Sequence, residues 1–411
     1  MRNWKNLAKA IGPGVLFAST AIGVSHLVQS TRAGAQYGFA LIGFVLLANI
    51  LKYPFFEFGS RYANVTGKSL LEAYKNKGKW LLIIYFIITV LSMFTVVAAV
   101  SFVCSGLMVE LFGIQQDTKS VVLFLFAICV GILMSGKFSI LDGLVKVVSI
   151  VLLISTLMAF FFTLLNGPEP QVSSFIPPDI FDDKGVFFLI ALMGWMPTAV
   201  DMSVWNSIWT VERIKQTGYQ PTLQETLLDF NIGYIVTIVL SICFITLGAY
   251  LMYGTGQELP DSSSSFANKL VSLYTQSLGP WSYWFIAISA FSVMFSTTLA
   301  VFDGYSRAIE QTFELLFYIK HSYIVYLSWL LIIAIGGYLI IWQFMDSFKQ
   351  LIDLATSVSF LIAPFCAILN HMVIFSDDIP IEKQPRKWLK LLSFIGIVFL
   401  LVFSIIFILY I

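Results

Sequence analysis

The chain has 411 residues, of which 58% are hydrophobic and 11% are charged, and its formal net charge is +1 at pH 7. Soluble globular domains carry about a quarter charged residues. This chain has too few charged residues to cover the surface of a soluble protein of its size, so the composition excludes that class. A nearly neutral chain without a run of basic residues also gives no indication of nucleic-acid binding.

Long apolar stretches dominate the sequence, and stretches of about 18 residues or more with few charges predict membrane-spanning helices. We predict an all-α membrane protein embedded in lipid, because the sequence contains eleven such stretches. The predicted spans are 11–29, 39–60, 80–112, 120–136, 141–166, 185–209, 228–254, 280–311, 322–343, 350–375 and 388–410.

The distribution of Lys and Arg predicts the orientation, since these residues are enriched in cytoplasmic loops. Of the 24 Lys and Arg residues, 18 fall in or beside loops on the side of the N-terminus, and Lys52 lies within a span. The other five fall on the opposite side: Arg32, Lys119, Lys184, Lys269 and Lys349. We therefore expect a multi-pass protein of the cell membrane with a cytoplasmic N-terminus and an external C-terminus.

Two predicted spans, the first and the sixth, contain interruptions that the others lack. The first includes Gly12-Pro13-Gly14 and Gly23, and the sixth includes Gly194, Pro197 and Asp201. Unwound backbone inside a membrane is tolerated where it lines a cavity or binds a ligand. Paired interruptions at corresponding positions of two halves indicate the binding site of a transporter. The alternative is a pair of proline kinks in ordinary packing helices.

The spacing of these two spans also predicts the organisation of the chain. Five spans separate the two starts, and an odd number per repeat places the repeats in opposite orientations. We expect one transporter domain made of two inverted five-span repeats, 11–166 and 185–375, with an additional C-terminal helix at 388–410.

Several short motifs, in order along the whole chain, resemble the NRAMP family of divalent-metal transporters. They are Gly12-Pro13-Gly14-Val15-Leu16, the segment 33–39, Val65-Thr66-Gly67, Met196-Pro197, Ser296-Thr297-Thr298 and the segment 360–367. The resemblance implies the LeuT-type inverted-repeat fold. Each motif is weak alone, and their shared order and spacing carry the comparison.

The sequence departs from the family at the positions used for chemistry. The family's first interrupted helix carries Asp-Pro-Gly-Asn, where this chain has Gly23, Val24, Ser25 and His26. Its sixth helix carries Met-Pro-His, where this chain has Met196, Pro197 and Thr198. The family's third helix carries two acids used for protons, and the corresponding positions here are Val97 and Val100. Metal as the substrate is therefore not simply inherited.

We predict a substrate site formed by Gly23, Ser25, His26, Met196, Thr198 and Asp201. His26, Met196 and Asp201 are the candidate metal ligands: imidazole is a common ligand, a thioether is a soft one, and acids within spans are functional by default. His26 has alternative roles, in hydrogen bonding to the unwound backbone or in holding a substrate carboxylate. Asp201 has an alternative role in complementing a helix dipole.

Further polar residues within spans have competing interpretations. Ser296 and Thr297 mark a possible sodium site, because in LeuT-type transporters an ion lies between the first and eighth helices; the NRAMP family has similar residues without obligatory sodium. Glu57 and Arg61 are four residues apart and predict an ion pair. Lys52 is expected to pair with Glu57 or to extend toward the membrane surface.

These observations favour a secondary transporter that works by alternating access at the two interrupted spans. No P-loop motif indicates ATP drive, no constellation of residues indicates an enzyme, and no cofactor is expected beyond a metal ion as substrate. The alternative substrate is a small organic solute such as an amino acid, with or without sodium coupling. A sensor is less favoured because the chain ends directly after the last predicted span.

Overall fold

The computed structural model describes residues 10–116, 118–135, 138–318, 322–344 and 347–410, and these ranges contain helices and no β-strand. His321 and Lys137, which lie in predicted loops, fall outside the described residues. The predicted all-α architecture is confirmed.

Within the described ranges, the first half of the chain forms seven α-helices and one π-helical turn. The turn, Ser25–Ser30, lies between α1 and α2. The helices are α1 (Pro13–Ala21), α2 (Thr31–Tyr37), α3 (Ile42–Thr66), α4 (Leu70–Lys77), α5 (Lys79–Phe112), α6 (Thr118–Ser135) and α7 (Phe138–Asn166).

The second half forms eight further α-helices within the described ranges. They are α8 (Asp183–Gly194), α9 (Met202–Thr217), α10 (Leu223–Leu251), α11 (Ser263–Leu278), α12 (Tyr283–Phe317), α13 (Tyr323–Gln343), α14 (Phe348–Ile374) and α15 (Lys387–Tyr410).

Seven helical segments in the described residues are long and apolar enough to cross a membrane, and they contain α3, α5, α10 and α12 to α15. They correspond to seven of the predicted spans. The two interrupted spans are each built from two shorter helices, α1 with α2 and α8 with α9. The remaining two predicted spans are the apolar helices α6 and α7.

The first span is longer than predicted, because its helical structure continues to Tyr37 rather than ending at residue 29. The predicted end of this span at residue 29 places Arg32 in the external loop that follows. In the structure Arg32 lies within α2, where it is buried and paired with Asp353 of α14. An arginine with a carboxylate partner is compatible with a span in a way that an isolated one is not.

Two helices, α4 and α11, were not predicted, because neither is long enough to cross a membrane. Both helices begin directly after a serine, a residue type that commonly caps the N-terminus of a helix. The Ser69 side chain accepts a hydrogen bond from the Glu72 amide, with the reciprocal bond of a capping box. The Ser262 side chain likewise accepts a hydrogen bond from the Ser265 amide. The length of an apolar stretch does not reveal such short helices, whereas their caps do.

Helix α2 is held against α10 by two glycines. A Cβ atom at Gly34 would lie 2.0 Å from the carbonyl oxygen of Ile245, and one at Gly248 would lie 2.3 Å from the carbonyl oxygen of Thr31. Any side chain at either position would therefore separate the helices. Small residues at such crossings let the backbones of membrane helices pack directly, which fixes the second half of the first span on α10.

Candidate functional site

The first span is interrupted at residues 22 and 23, between α1 and the π-helical turn. The Gly23 amide donates a hydrogen bond to the Ala21 carbonyl oxygen over 2.9 Å. A Cβ atom at Gly23 would lie 3.0 Å from the Thr297 methyl group of α12. Gly23 therefore marks the interruption, as predicted, and its position is closely packed against α12.

The sixth span is interrupted between α8, which ends at Gly194, and α9, which begins at Met202. The Met196–Pro197 peptide bond within this segment is cis. Asp201 occupies the N-cap position of α9. A negative charge is favourable at the N-terminus of a helix, so the dipole interpretation of Asp201 fits its position.

A cavity of about 30 Å³ lies between the two interruptions. A cavity must offer about 10–15 Å³ of space to the centre of a water molecule in order to hold one water. This cavity therefore has room for about two waters or one ion. It is lined by Thr20, Ala21, Val24, Ser25, Val96, Val100, Trp195, Thr198, Ala199, Asp201, Met202, Trp205, Thr297, Val301 and Tyr305. Asp201 is the one charged side chain among these lining residues.

Three of the six predicted site residues line this cavity: Ser25, Thr198 and Asp201. Asp201 therefore faces the cavity while it occupies the N-cap position of α9. Its Oδ2 atom accepts a hydrogen bond from the Tyr305 hydroxyl over 3.3 Å. The Tyr305 ring packs edge-to-face on Trp205, with ring centroids 4.7 Å apart. Tyr305 of α12 thus holds the carboxylate directly, and Trp205 of α9 packs against the Tyr305 ring.

His26 is not among the lining residues, because its ring points to the backbone. Nε2 lies 2.9 Å from the Thr237 carbonyl oxygen of α10, and Nδ1 lies 2.9 Å from the Ala21 carbonyl oxygen. Nδ1 is also 2.8 Å from the Ser25 hydroxyl. Both ring nitrogens have protein partners, which favours the backbone-bonding alternative given above over metal ligation.

Met196 also lies away from the cavity, where its sulfur accepts a hydrogen bond from the Ser30 hydroxyl over 4.0 Å. A different methionine lines the cavity. Met202 stands directly after Asp201, and its sulfur accepts a hydrogen bond from the Thr198 hydroxyl over 2.8 Å. A soft donor is thus present at the site, supplied by a residue that the sequence did not single out.

Of the two residues of the possible sodium site, one lines the cavity and the other does not. The Thr297 side chain lines the cavity and donates to the Ser19 carbonyl oxygen over 3.1 Å, which connects α12 to α1. Ser296 is half-buried and is not a lining residue.

Helix α5 contributes only apolar groups to the cavity. Val96 and Val100 are its lining residues. Val97 packs instead toward α13, where its Cγ1 atom would lie 3.1 Å from a Cβ at Gly337. Of the two positions at which the resembling family carries acids, one therefore reaches the cavity, and it carries a valine.

Lys52 differs from both roles expected from the sequence. It is fully buried, and its ammonium donates to the carbonyl oxygens of Met193 over 2.6 Å and Gly194 over 2.8 Å. Glu57 pairs with Arg61, which confirms that predicted ion pair. The expected Lys52–Glu57 pair and the extension of Lys52 to the membrane surface are both wrong, because carbonyls at the end of α8 accept the ammonium.

A wide vestibule of about 920 Å³ opens on the side of Arg32 and Asp353, which both line it. The Arg32 guanidinium donates to both carboxylate oxygens of Asp353, over 2.6 and 2.9 Å. The Gln29 side-chain amide donates to the same carboxylate over 3.0 Å. This ion pair joins α2 to α14 at the wall of the vestibule.

The opposite end of the first span is closed by Asp229 of α10. Its carboxylate accepts hydrogen bonds from the amides of Gly12 over 3.2 Å and Gly14 over 2.6 Å. The Arg213 guanidinium donates to the Ile11 carbonyl oxygen over 3.0 Å. Both ends of the first span are therefore held by contacts to neighbouring helices in this conformation.

Comparison with known proteins agrees with this architecture. The family model described as "Natural resistance-associated macrophage protein-like" matches residues 14–410. An uncharacterized protein of Pasteurella multocida is 33% identical over 412 residues, covering 98% of this chain and 93% of that protein. The divalent metal cation transporter MntH of Latilactobacillus sakei is 26% identical over 270 residues, covering 62% of this chain and 57% of that protein.

A solved structure shows the same fold. A mutant of the Eremococcus coleocola manganese transporter superposes with a TM-score of 0.75 at 14% identity, over 98% of this chain and 86% of that chain. The LeuT-type architecture expected from the sequence is thereby confirmed. The alignment with the transporter of Latilactobacillus sakei spans little more than half of that protein.

Proposed function

Because the chain belongs to the natural resistance-associated macrophage protein-like (NRAMP) family, we propose that this transporter moves a divalent metal ion through the cavity at its two interrupted spans. It is a multi-pass membrane protein of the LeuT type. The names of relatives add support, since the matched proteins of Latilactobacillus sakei and Eremococcus coleocola are divalent metal and manganese transporters.

The observation that carries the proposal is Asp201, a buried carboxylate that faces a small cavity with room for an ion. Hydroxyl groups of Ser25 and Thr198 and the thioether of Met202 line the same space. Carboxylate and hydroxyl oxygens suit hard cations such as Mn²⁺, and a thioether adds affinity for softer ones. We assign Asp201 as the charged ligand, Ser25 and Thr198 as neutral oxygen ligands, and Met202 as the sulfur ligand.

Gly23, His26 and Met196 take positioning roles in this proposal. Gly23 leaves room for Thr297 beside the first interruption. His26 ties the start of the π-helical turn to α10 through the Thr237 carbonyl oxygen. Met196 contacts Ser30 across the two interrupted spans. Each of them holds the cavity wall rather than the ion.

Binding of Mn²⁺ to the purified protein tests the substrate class. We expect Mn²⁺ to raise the thermal midpoint in a saturable manner, since a ligand that binds only the folded state stabilises it. We also expect proteoliposomes to accumulate radiolabelled Mn²⁺. Mg²⁺ should act more weakly, because a thioether is a poor ligand for it, and a Met202→Leu variant should reduce that difference. A protein unaffected by Mn²⁺ in both assays would contradict the proposal.

A small organic solute is the second candidate, favoured by the scarcity of charge in the cavity. The first span contributes no carboxylate, and Asp201 is the single charged group among the lining residues. An exposed helix amide at an interruption is suited to hold a substrate carboxylate. The volume of about 30 Å³ disfavours an amino acid in this conformation. Saturable stabilisation by an amino acid, in the absence of any effect of Mn²⁺, would favour this candidate.

We infer that residues 11–166 and 185–375 form the two inverted repeats and that 388–410 is the additional helix. The two interrupted spans support this division, because both consist of two short helices separated by irregular backbone. The excess of Lys and Arg on one side supports a cytoplasmic N-terminus and an external C-terminus.

We expect a single cysteine at position 386, introduced as Arg386→Cys, to be labelled from the cytoplasmic side by a membrane-impermeant maleimide. A matched Lys184→Cys variant should be labelled from the outside. The native background is low because Cys104, Cys129, Cys243 and Cys366 are buried. Labelling of the two variants from the reverse sides would contradict the proposed orientation.

A further inference from the structure

Lys52 is a buried lysine that does not line the cavity of the proposed transport site. It lies near the middle of α3, and its side chain has no exposed surface. The ammonium donates to the carbonyl oxygens of Met193 and Gly194. The ion pairs found within the described residues place no carboxylate within salt-bridge distance of it. A charge inside a membrane span is costly unless it serves a function, so its retention needs an explanation.

The two carbonyls that accept the ammonium belong to the last residues of α8. Carbonyls at the C-terminus of a helix lack their usual donor four residues later and carry partial negative charge, although the Met193 oxygen also accepts the Met196 amide over 3.3 Å. In transporters with interrupted spans, such half-helix ends and unwound carbonyls coordinate cations. Met193 and Gly194 are followed directly by Trp195, which lines the cavity. The acceptors of Lys52 thus form one edge of the sixth-span interruption.

An ammonium group is a tetrahedral donor of three hydrogen bonds, and in charge it is equivalent to a monovalent ion. Its two bonds, of 2.6 and 2.8 Å, are in the range of strong charge-assisted hydrogen bonds. An aromatic partner is the ring of Phe360 on α14, with Nζ 5.9 Å from the centroid. The site therefore has the ligands of a cation site and a cation already attached to the chain.

We propose that Lys52 is a tethered cation, which occupies a monovalent-cation site formed by the Met193 and Gly194 carbonyls at the end of α8. Its charge holds the two carbonyls in place and connects α3 to the sixth-span interruption. The end of α8 then needs no bound sodium ion to keep its shape. This role is independent of which substrate the cavity carries, although it rests on the sixth span being part of a transporter.

Rescue of a Lys52→Ala variant by small cations tests the proposal. We expect the thermal midpoint of the purified variant to fall by several degrees in choline chloride. Methylammonium chloride should recover at least half of that loss in a saturable manner, because it replaces the ammonium in the space left by the side chain. The wild-type protein should show the same midpoint in both salts, since its site is filled.

The matched control is Asn49→Ala, which removes another fully buried polar side chain from α3, one turn away. The Asn49 amide donates to the Val45 carbonyl oxygen in its own helix, so its loss creates no cation site. We expect this variant to be destabilised and to show no response to methylammonium. The thermal unfolding measurements contain no substrate, so their result is independent of the Mn²⁺ assays.

Two results would overturn the proposal. One is a Lys52→Ala protein as stable in choline as the wild type. The other is a destabilised variant that responds to methylammonium no more than Asn49→Ala does. If Lys52→Ala cannot be purified, Lys52→Arg and Lys52→Met replace it. The proposal then requires the arginine variant to remain stable and the methionine variant to lose stability, and equal behaviour of the two rejects it.

Discussion

An Asp201→Asn variant is expected to fold and to lose nearly all of its affinity for divalent metal ions. Asparagine keeps the shape of the side chain and an oxygen acceptor for the Tyr305 hydroxyl, while the single charge among the cavity-lining residues disappears. Two unit charges about 4 Å apart attract by about 4 kcal/mol at an effective dielectric constant of 20. About 1.4 kcal/mol corresponds to a tenfold change in affinity, so we expect the affinity for Mn²⁺ to fall more than about 100-fold.

Equilibrium binding of Mn²⁺ to the purified variants measures this effect, and proteoliposome uptake provides a second readout. The matched control is Asp303→Asn, since Asp303 is also a buried acid but pairs with Arg307 and is not a cavity-lining residue. Its metal affinity should stay within a few fold of the wild type. Tight Mn²⁺ binding by Asp201→Asn would show that the ion does not bind at this cavity.

Much of the architecture follows from the sequence because the membrane imposes simple rules. Apolar length predicts the spans, and the paired Gly and Pro residues predict where two of them are interrupted. Asp201 was selected as a candidate site residue because an acid within a span is costly and has few structural reasons to be there, and it lines the cavity. These inferences need only the local sequence and the properties of the surrounding lipid bilayer.

The orientation of individual side chains at the interruptions does not follow from the sequence. His26 is adjacent to Ser25, yet Ser25 lines the cavity and His26 bonds to α10. Both residues belong to a π-helical turn, in which each residue is rotated about the helix axis by a smaller angle than in an α-helix. No residue pattern indicates such a turn in advance, so α-helical spacing gave no reliable direction for His26.

The choice between two methionines failed for a similar reason. Met196 was selected because the family carries a methionine before a proline there. Between Gly194 and Met202 the chain is irregular, so helical periodicity cannot relate Met196 to Asp201. Met202 begins α9 directly after Asp201 and brings its sulfur to the cavity. Tyr305 is 104 residues from Asp201, and only the tertiary structure brings the two together.

The ion pair of Arg32 and Asp353 is expected to have a large effect on both stability and access. The two side chains are 5% and 13% exposed, so each charge depends on the other for compensation. Removal of one partner from a buried pair costs about 3–5 kcal/mol, because the remaining charge is left without a partner. We therefore expect Arg32→Ala and Asp353→Ala each to lower the thermal midpoint strongly.

The charge-free double variant Arg32→Gln with Asp353→Asn separates the energetic effect from general damage to the site. With no unpaired charge left, we expect it to regain most of the stability that either single variant loses. The exposed pair of Lys215 and Glu212, with side chains 66% and 56% exposed, is the control. Its removal should change stability by less than about 1 kcal/mol. A double variant as unstable as the single ones would assign their loss to packing rather than to charge.

The same pair should also control access to the cavity from the vestibule, because it lines the vestibule and joins α2, the second half of the first interrupted span, to α14. In a Ser25→Cys background, an impermeant thiol reagent added from the vestibule side should react slowly while the pair is intact. The double variant Arg32→Gln with Asp353→Asn lacks the ionic connection. We expect the thiol introduced at position 25 to react at least about tenfold faster in it, as a loss of about 1.4 kcal/mol in closure would produce. Equal reaction rates in the two backgrounds would show that other contacts, such as the packing of α2 on α10, restrict access to position 25.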